Sequence, residues 1–539
     1  MEARQPAGFE IEWQLEAQDL RPVLRWLEHD AANGENGISV ARGTTHTHVD
    51  TYVDTADRRL DRSGYSVRLR RASKCGGEAT LKSLEDARPD ALRIRLEVSQ
   101  QVDADNAAAI PHLRGPVGDR VRALVGTRKL IPLFDLQTRR RTFPLATADG
   151  PSGELLLDET AIREPGLGRI LSRLRRVEVE VPETAIGTIG PLVERLQRDC
   201  GLQPAILSKY EAALAATGNH RTELETFGPT LVDAEATIGH VALAVLRGQF
   251  AALLANEPGT RLGDDIEDLH AMRVASRRLR AAIAFFQTVL PVEAAQLRPD
   301  LAWIGQAIGA VRDLDVQLAQ LDEWAELSPE VDRAAVAPLR ALLRDQRADA
   351  RAKMLLALDS PRYERLVRRF GRMLRARSGA RTAPARAAAP ELVLRRHRKL
   401  RGYTKGVARG GDPDAYHQLR IAAKRFRYAL EFLSDVYPGE TQALVRRTVA
   451  LQDLLGGYQD AHVATARLRH LATERAGDLG ASTIFAMGEM AERYHAAMEH
   501  TRPQVPSVAR KLNGKAWKRL RKRLDAARPQ APIRPLAPR

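Results

Sequence analysis

Leu269–Phe286 reads LHAMRVASRRLRAAIAFF, and Tyr416–Leu433 reads YHQLRIAAKRFRYALEFL, the same pattern 147 residues later. The register holds beyond both stretches: Pro291 aligns with Pro438, Gly309 with Gly456, Asp313 with Asp460 and Val316 with Val463. Chance does not hold one offset across nearly fifty residues. The second half of the chain is an internal duplication.

Each copy also has a physical layout. At about 100° per residue, His270, Arg273, Arg277 and Arg280 fall within roughly an 80° arc of one helix. Met272, Ala275, Leu279, Ala282, Ile283 and Phe286 take the other side, the face a bundle would bury. The second copy repeats this, with His417, Arg420, Lys424 and Arg427 as its polar stripe and Leu419, Ala422, Phe426 and Leu430 inward. A solvated helix face normally carries acidic partners four residues away, and these stripes lack them. They are expected to bind an anion, with Asp313 and Asp460 orienting arginines. Neither histidine has the HExxH or His/Cys spacing of a zinc site, so anion contact is the role expected of His270 and His417.

The 539 residues carry 84 Lys plus Arg against 68 Asp plus Glu, a net charge of +16. That excess points to polyanionic partners. Aromatic residues make up 5%, too few for the stacking platforms of single-strand binders, and no helix-turn-helix or RRM signature is present, so nucleic acid is the weakest candidate. Two cysteines, Cys75 and Cys200, exclude a disulfide scaffold. MEARQPAGFE has no secretory signal, and no apolar run is read as long enough to insert in a membrane. A cytoplasmic protein is expected, with no obligate protein partner evident.

The first half has period two. FEIEWQL alternates Phe9, Ile11, Trp13 and Leu15 with Glu10, Glu12 and Gln14, the pattern of a strand with one apolar face. Helical segments are expected at 19–29 and 103–126. Further strands pair Arg68 with Arg70, Thr80 with Lys82, Arg93 and Arg95 with Glu97, and Arg139 with Arg141; others present Asp158, and Arg176 with Glu178 and Glu180. Closing these strands into a barrel would gather their charged faces around a lumen. Carboxylates on strands suit hard cations such as Mg2+ or Mn2+, and cations suit phosphoryl oxygens. The bland alternative is a set of cross-strand ion pairs on an exposed sheet.

The EIEWQ start, YVDT at 52–55, VRLR after Gly64, TLK at 80–82, LLLDE at 155–159 and VEVE at 177–180 together resemble CYTH domains, the triphosphate tunnel metalloenzymes, over residues 8–212. The resemblance implies an eight-stranded antiparallel β tunnel in an α+β multidomain chain. It implies metal ligation and catalysis by Glu10, Glu12 and Glu180, with Glu178 and Asp158 nearby. Arg68, Arg70, Lys82, Arg93, Arg95, Arg139 and Arg141 would grip triphosphate. The family's opening motif is Glu-x-Glu-x-Lys, and Gln14 stands in place of that lysine. An amide lacks the charge that would offset developing negative charge, so binding without turnover stands beside hydrolysis, and cyclic AMP formation is a third activity found in this family.

The two HxxRxxx[RK]R-type helices, with IGAVRDLDV and LGGYQDAHV behind them, resemble the CHAD domain over residues 226–525. That resemblance implies binding of inorganic polyphosphate by His270, Arg273, Arg277, Arg280, His417, Arg420, Lys424 and Arg427, and association with polyphosphate granules. The expected division is a tunnel domain at 1–215, a linker at 216–226, and a helical domain at 227–526. Its repeats are placed at 227–377 and 391–526, joined by an Ala/Pro/Arg linker at 378–390, with a disordered tail at 527–539. The expected function is a metal-dependent inorganic triphosphatase tethered to polyphosphate; the alternative is a non-catalytic polyphosphate-binding protein. The last basic helix, KAWKRLRKRL from Lys515, is read equally as part of the polyanion surface or as a solvated face.

Overall fold

The computed structural model describes residues 8–29, 37–71, 77–84, 90–102, 106–148, 150–219, 227–233, 235–375, 383–408 and 412–527. Most of the expected linker at 216–226, the first part of that at 378–390 and nearly all of the tail lie outside these residues. The chain forms two compact units, 1–225 and 226–539.

The first unit is a closed barrel. Its strands are β1 (Gly8–Glu16), β2 (Ser39–Val40), β3 (Thr44–Thr55), β4 (Tyr65–Arg71), β5 (Gly77–Ser83), β6 (Leu92–Val102), β7 (Leu130–Thr147), β8 (Gly150–Arg163), β9 (Ile170–Glu180) and β10 (Gln203–Pro204). The order β1-β6-β5-β4-β3-β7-β8-β9 returns to β1 through a β1–β9 pairing, giving eight antiparallel strands around one lumen. β2 and β10 are two-residue additions to β7 and β1.

Alternation decides which side faces in. Ile11, Trp13 and Leu15 of β1 point outward into a core with Val23 and Trp26 of α1 (Arg21–His29). Helix α2 (Pro116–Val125) follows the expected position, preceded by a short 3-10 turn at Ala107–His112. Helix α3 (Ile186–Cys200) adds Ile189, Leu192, Val193 and Leu196 to the same core. The period-two pattern expected of the first half does not extend to it. The apolar stripe of α3 recurs every three or four residues, a helical period the two-residue reading passed over. With apolar faces outward against helices, the charged faces are left to the lumen.

Helix α4 (Lys209–Ala216) opens with a reciprocal capping box between Ser208 and Glu211. Its Tyr210, Ala213 and Leu214 pack against Tyr52, Phe134, Leu136 and Ile162. Those four lie on the lumen faces of their strands, so the lumen has an apolar end stoppered by α4 and a charged remainder.

The second unit is helical and repeats with the sequence. Helices α5 (Ile238–Ala255), α6 (Ile266–Phe285), α7 (Arg298–Glu326), α8 (Ala337–Leu358) and α9 (Pro361–Arg375) form the first copy. Helices α10 (Ala385–Val407), α11 (Pro413–Phe432), α12 (Glu440–Glu474), α13 (Ala476–Thr501) and α14 (Lys515–Ala526) form the second. Ile238 and Ala385, and Ile266 and Pro413, open equivalent helices 147 residues apart. The stacked pair Phe250–Phe370 of the first copy becomes His397–Trp517 in the second, at the same offset. One continuous core runs through both copies.

One expectation is corrected here. Residues 385–390 are helix rather than linker: Ala385 and Ala389 are fully buried, and backbone bonds join Ala383 and Ala385 to the start of α5. The Ala/Pro/Arg composition looked like low complexity, yet alanine is the strongest helix former and the smallest residue for a close contact. The helical segment Ile238–Leu262 is long and apolar enough by composition to cross a membrane, but His240, Arg247 and Gln249 interrupt it and half of its most apolar stretch is buried in this unit.

Candidate functional site

The lumen gathers charge from nearly every strand. Lys82 on β5 contacts Glu10, and lies 3.3 Å from Glu97 and 3.4 Å from Glu12. Arg95 on β6 pairs with Glu12 and lies 3.5 Å from Glu10. Gln14 donates its amide to Glu12 at 2.9 Å and to Glu178 at 3.4 Å. Asp50 on β3 accepts from Arg70 through two bonds and from Arg68 at 3.1 Å. Sequence reasoning brought together Glu10, Glu12, Glu178, Asp158, Lys82, Arg68, Arg70 and Arg95, and the structure places all of them on the inner face.

Three expected phosphate contacts are corrected. Arg139 is exposed and lies 3.5 Å from the exposed Glu159; Arg141, two residues on, shares that outer side. The inward residue is Arg140, forked onto Asp158 at 2.6 and 2.8 Å and 3.0 Å from Glu178. Three consecutive arginines contain no apolar residue to mark the phase of the strand, so the alternation had to be taken on trust there. Arg93 is buried, and donates to the carbonyls of Ala205 and Ile206. It fastens the segment leading into α4.

Lys209 was missed altogether. Its ammonium group contacts Asp158 and lies 2.8 Å from Glu178. It enters from the stopper helix and belongs to no strand, so strand alternation could not find it. The Ser208…Glu211 capping pattern did mark a helix start immediately beside it.

Burial opposes the charge on Asp158, yet Lys209 and Arg140 hold its carboxyl well below the usual carboxylate range. Glu12 behaves oppositely: burial and the nearby Glu178 raise it, against the pull of Arg95. Glu180, paired directly across from Glu12, is raised by burial and by Glu12 itself. Lys82 is pushed down to about 7 by burial and by Arg95. Carboxyls that resist ionising beside one another are sites where a divalent cation is favourable. The donor set is all oxygen, which suits Mg2+ or Mn2+. Among the described residues no three His, Cys, Asp or Glu side chains already converge as a ligand set. Lysines and arginines hold four of the five carboxylates, so a bound cation would displace some of those contacts.

This arrangement makes a stability contrast. Removing Arg140 leaves the buried carboxylates of Asp158 and Glu178 to share the single charge of Lys209, so Arg140→Ala is expected to cost about 3 kcal/mol, whereas Arg139→Ala should stay within about 0.5 kcal/mol. Urea unfolding of the two variants measures the difference; equal costs would place Arg140 outside the lumen.

In the helical unit the two stripes meet. Burial lowers Arg273, whose surroundings include Arg277, Arg312 and Arg420. Lys424 is pushed down to about 7 by burial and by Arg277, Arg420 and Arg273. Asp313 lies 3.2 Å from Arg273, and Asp460 lies 3.9 Å from Arg420, the same pairing in both copies. His417 shares a hydrogen bond with Gln459 at 3.0 Å, and burial with Arg312 lowers His270. Arg280 sits beside Arg277 and Arg298. One residue departs from the expected absence of acidic partners four residues away: Arg427 is drawn off by Glu431 at 3.3 Å, which also holds Arg278 at 2.9 Å. Arg312 was not singled out in the sequence, because it lies on α7 rather than on either duplicated stretch.

Lys424 gives this cluster a pH response. Its depressed pKa means the free protein loses that charge as pH rises through about 7. Polyanion affinity is expected to fall by several-fold to about tenfold between pH 7 and 8, since binding restores the proton. Lys424→Arg should flatten the profile, and an unchanged slope in that variant would remove Lys424 from the binding surface.

The CYTH domain family matches residues 27–189 and the CHAD domain family residues 244–469. Strand β1, with Glu10, Glu12 and Gln14, lies outside the matched span although it closes the barrel. Among solved structures the chain is similar to the CHAD domain from the plant Ricinus communis, at 28% identity over 57% of this chain and 96% of that one, with a TM-score of 0.39. It is similar to PptA from Streptomyces chartreusis, at 22% identity over 51% and 100% with a TM-score of 0.43. A Hippeastrum protein described as having a dominant triphosphatase activity matches at 19% identity over 39% and 98%, with a TM-score of 0.30. No curated protein matches the chain.

Proposed function

Because the chain carries a CYTH domain fused to a CHAD domain, we propose that it is a metal-dependent inorganic triphosphatase whose helical unit binds polyphosphate. The supporting observation is the lumen itself. A closed barrel turns Glu10, Glu12, Glu178, Glu180 and Asp158 inward together with Lys82, Arg68, Arg70, Arg95, Arg140 and Lys209. Such a mixture suits a phosphate chain chelated to a cation.

In this reading Glu10, Glu12 and Glu180 would hold Mg2+ or Mn2+, which would supply charge neutralisation at the phosphoryl oxygens. Arg68, Arg70 and Arg95 exchange carboxylate partners for phosphate oxygens and fix the chain in line. Lys82, among Glu10, Glu12 and Glu97, and Lys209, beside Asp158 and Glu178, bring positive charge to the phosphate chain. The paired stripes of α6 and α11 give a long chain a second attachment.

Phosphate release from tripolyphosphate, long-chain polyphosphate, ATP and thiamine triphosphate tests the reading. Tripolyphosphate with Mn2+ or Mg2+ is expected to be the best substrate. The Gln14 amide, locked between Glu12 and Glu178, supports a second reading, in which the tunnel binds triphosphate without turnover. Saturable tripolyphosphate binding with no release above background would favour it.

A further inference from the structure

A strongly basic face remains outside both the lumen and the paired stripes. Helices α10 and α14 pack side by side, with the His397 ring stacked on Trp517 at 3.5 Å. Arg398, Arg401 and Lys405 of α10 and Lys518, Arg519 and Lys522 of α14 are all exposed. No ion pair engages any of these six among the described residues. On α14 the nearest acids, Asp525 and Glu440, are taken by Arg521 and Arg523.

The duplication separates what the fold needs from what it does not. Equivalent buried positions match: Ala242 with Ala389, Leu246 with Val393, and Leu253 with Leu400. The outward positions of α10 diverge, for Arg398 stands where the first copy has Ala251, Arg401 where it has Leu254 and Lys405 where it has Pro258; on α14 Lys518 replaces Gly371, while Arg519 and Lys522 match Arg372 and Arg375. Helix α5 therefore folds in the first copy without the cations that α10 carries. That copy also covers its face differently: Phe227 packs on Phe250 at 4.9 Å, and Arg375 lies over the Phe227 ring.

We infer that the outer face of α10 and α14 is a second polyanion-binding surface, and that its occupant is a further stretch of the polyphosphate chain held by the paired stripes. This rests on the polyphosphate reading above. The face offers only lysines and arginines along two helix rows. Lys515, Lys518 or Arg519, and Lys522 follow one another over a rise of about 10 Å, a narrow track suited to a single linear chain of phosphates. Bases would find little to stack on, as the large apolar residues of α14, Trp517, Leu520 and Leu524, are buried. The same burial leaves no apolar face to enter a lipid interface.

The test uses the full chain and compares R398Q/R401Q/K405Q/K518Q/K522Q with R273E/R420E. Circular dichroism checks folding; all five positions are exposed. The five-fold variant is expected to bind a short polyphosphate like the parent and to lose about tenfold or more in affinity for a long chain, because a second attachment has gone. Tripolyphosphate hydrolysis should be unchanged. R273E/R420E should retain weak, salt-sensitive binding of long chains, and adding the five substitutions should remove it. Long-chain affinity within twofold of the parent in the five-fold variant would overturn the proposal. So would a variant that loses RNA or vesicle binding while keeping long-chain polyphosphate. If R273E/R420E leaves short-chain affinity intact, the paired-stripe reading fails; the outer face then stands or falls on the five-fold variant alone.

Discussion

Reversing Arg273 and Arg420 together is expected to lower affinity for a short polyphosphate chain by about a thousandfold. Hydrogen bonds to charged groups contribute about 1.5–3 kcal/mol each, and two lost contacts at about 2 kcal/mol make roughly 4 kcal/mol. Both arginines already face a carboxylate, Asp313 or Asp460, so in R273E/R420E each copy would present two acids where an anion must sit. Lys424 and Arg277 stand within reach of both positions and would be drawn toward the new glutamates. Isothermal titration or fluorescence anisotropy at fixed ionic strength reads the change. The helices should persist, because the buried faces of α6 and α11 are untouched. An unaltered dissociation constant would reduce the duplicated stripe to a solvated face.

The second large effect concerns turnover. Glu10→Ala/Glu12→Ala is expected to bring metal-dependent phosphate release down to background, since two carboxylates proposed as cation ligands disappear. It also frees Arg95 from both its carboxylate partners and leaves Lys82 with Glu97 alone. Gln14→Lys should act in the opposite direction. The Gln14 amide bridges Glu12 and Glu178, so a lysine there would put a full charge between two carboxylates near the proposed phosphoryl site. A preorganised donor of this kind is worth about 3 kcal/mol, or roughly a hundredfold in rate. Parallel assays with tripolyphosphate and Mn2+ measure both variants. If Gln14→Lys releases no more phosphate than the parent while still binding tripolyphosphate, residue 14 is not what sets the rate.

Much of this architecture was legible in one dimension. Ile11, Trp13 and Leu15 alternate with Glu10, Glu12 and Gln14, so both faces of β1 could be assigned before any strand had a neighbour. The duplicated stretches carried their own phase, because apolar residues at helical spacing mark one side and cations the other. Legibility failed where that contrast was missing. In Arg139–Arg141 every side chain is the same, and only the register of Arg140 opposite Asp158 shows which one is inside. In 385–390 composition suggested a linker, while contact with α5 makes those residues core.

Residue pattern alone therefore determined the strand faces, the repeat and the sign of charge on each surface, since these follow from local periodicity. Tertiary structure decided the partners. Lys209 reaches Asp158 and Glu178 only because α4 folds back into the barrel, and Lys424 meets Arg277 only because the two copies pack stripe to stripe. Proximity between distant residues depends on how elements close on one another, and no local period encodes it.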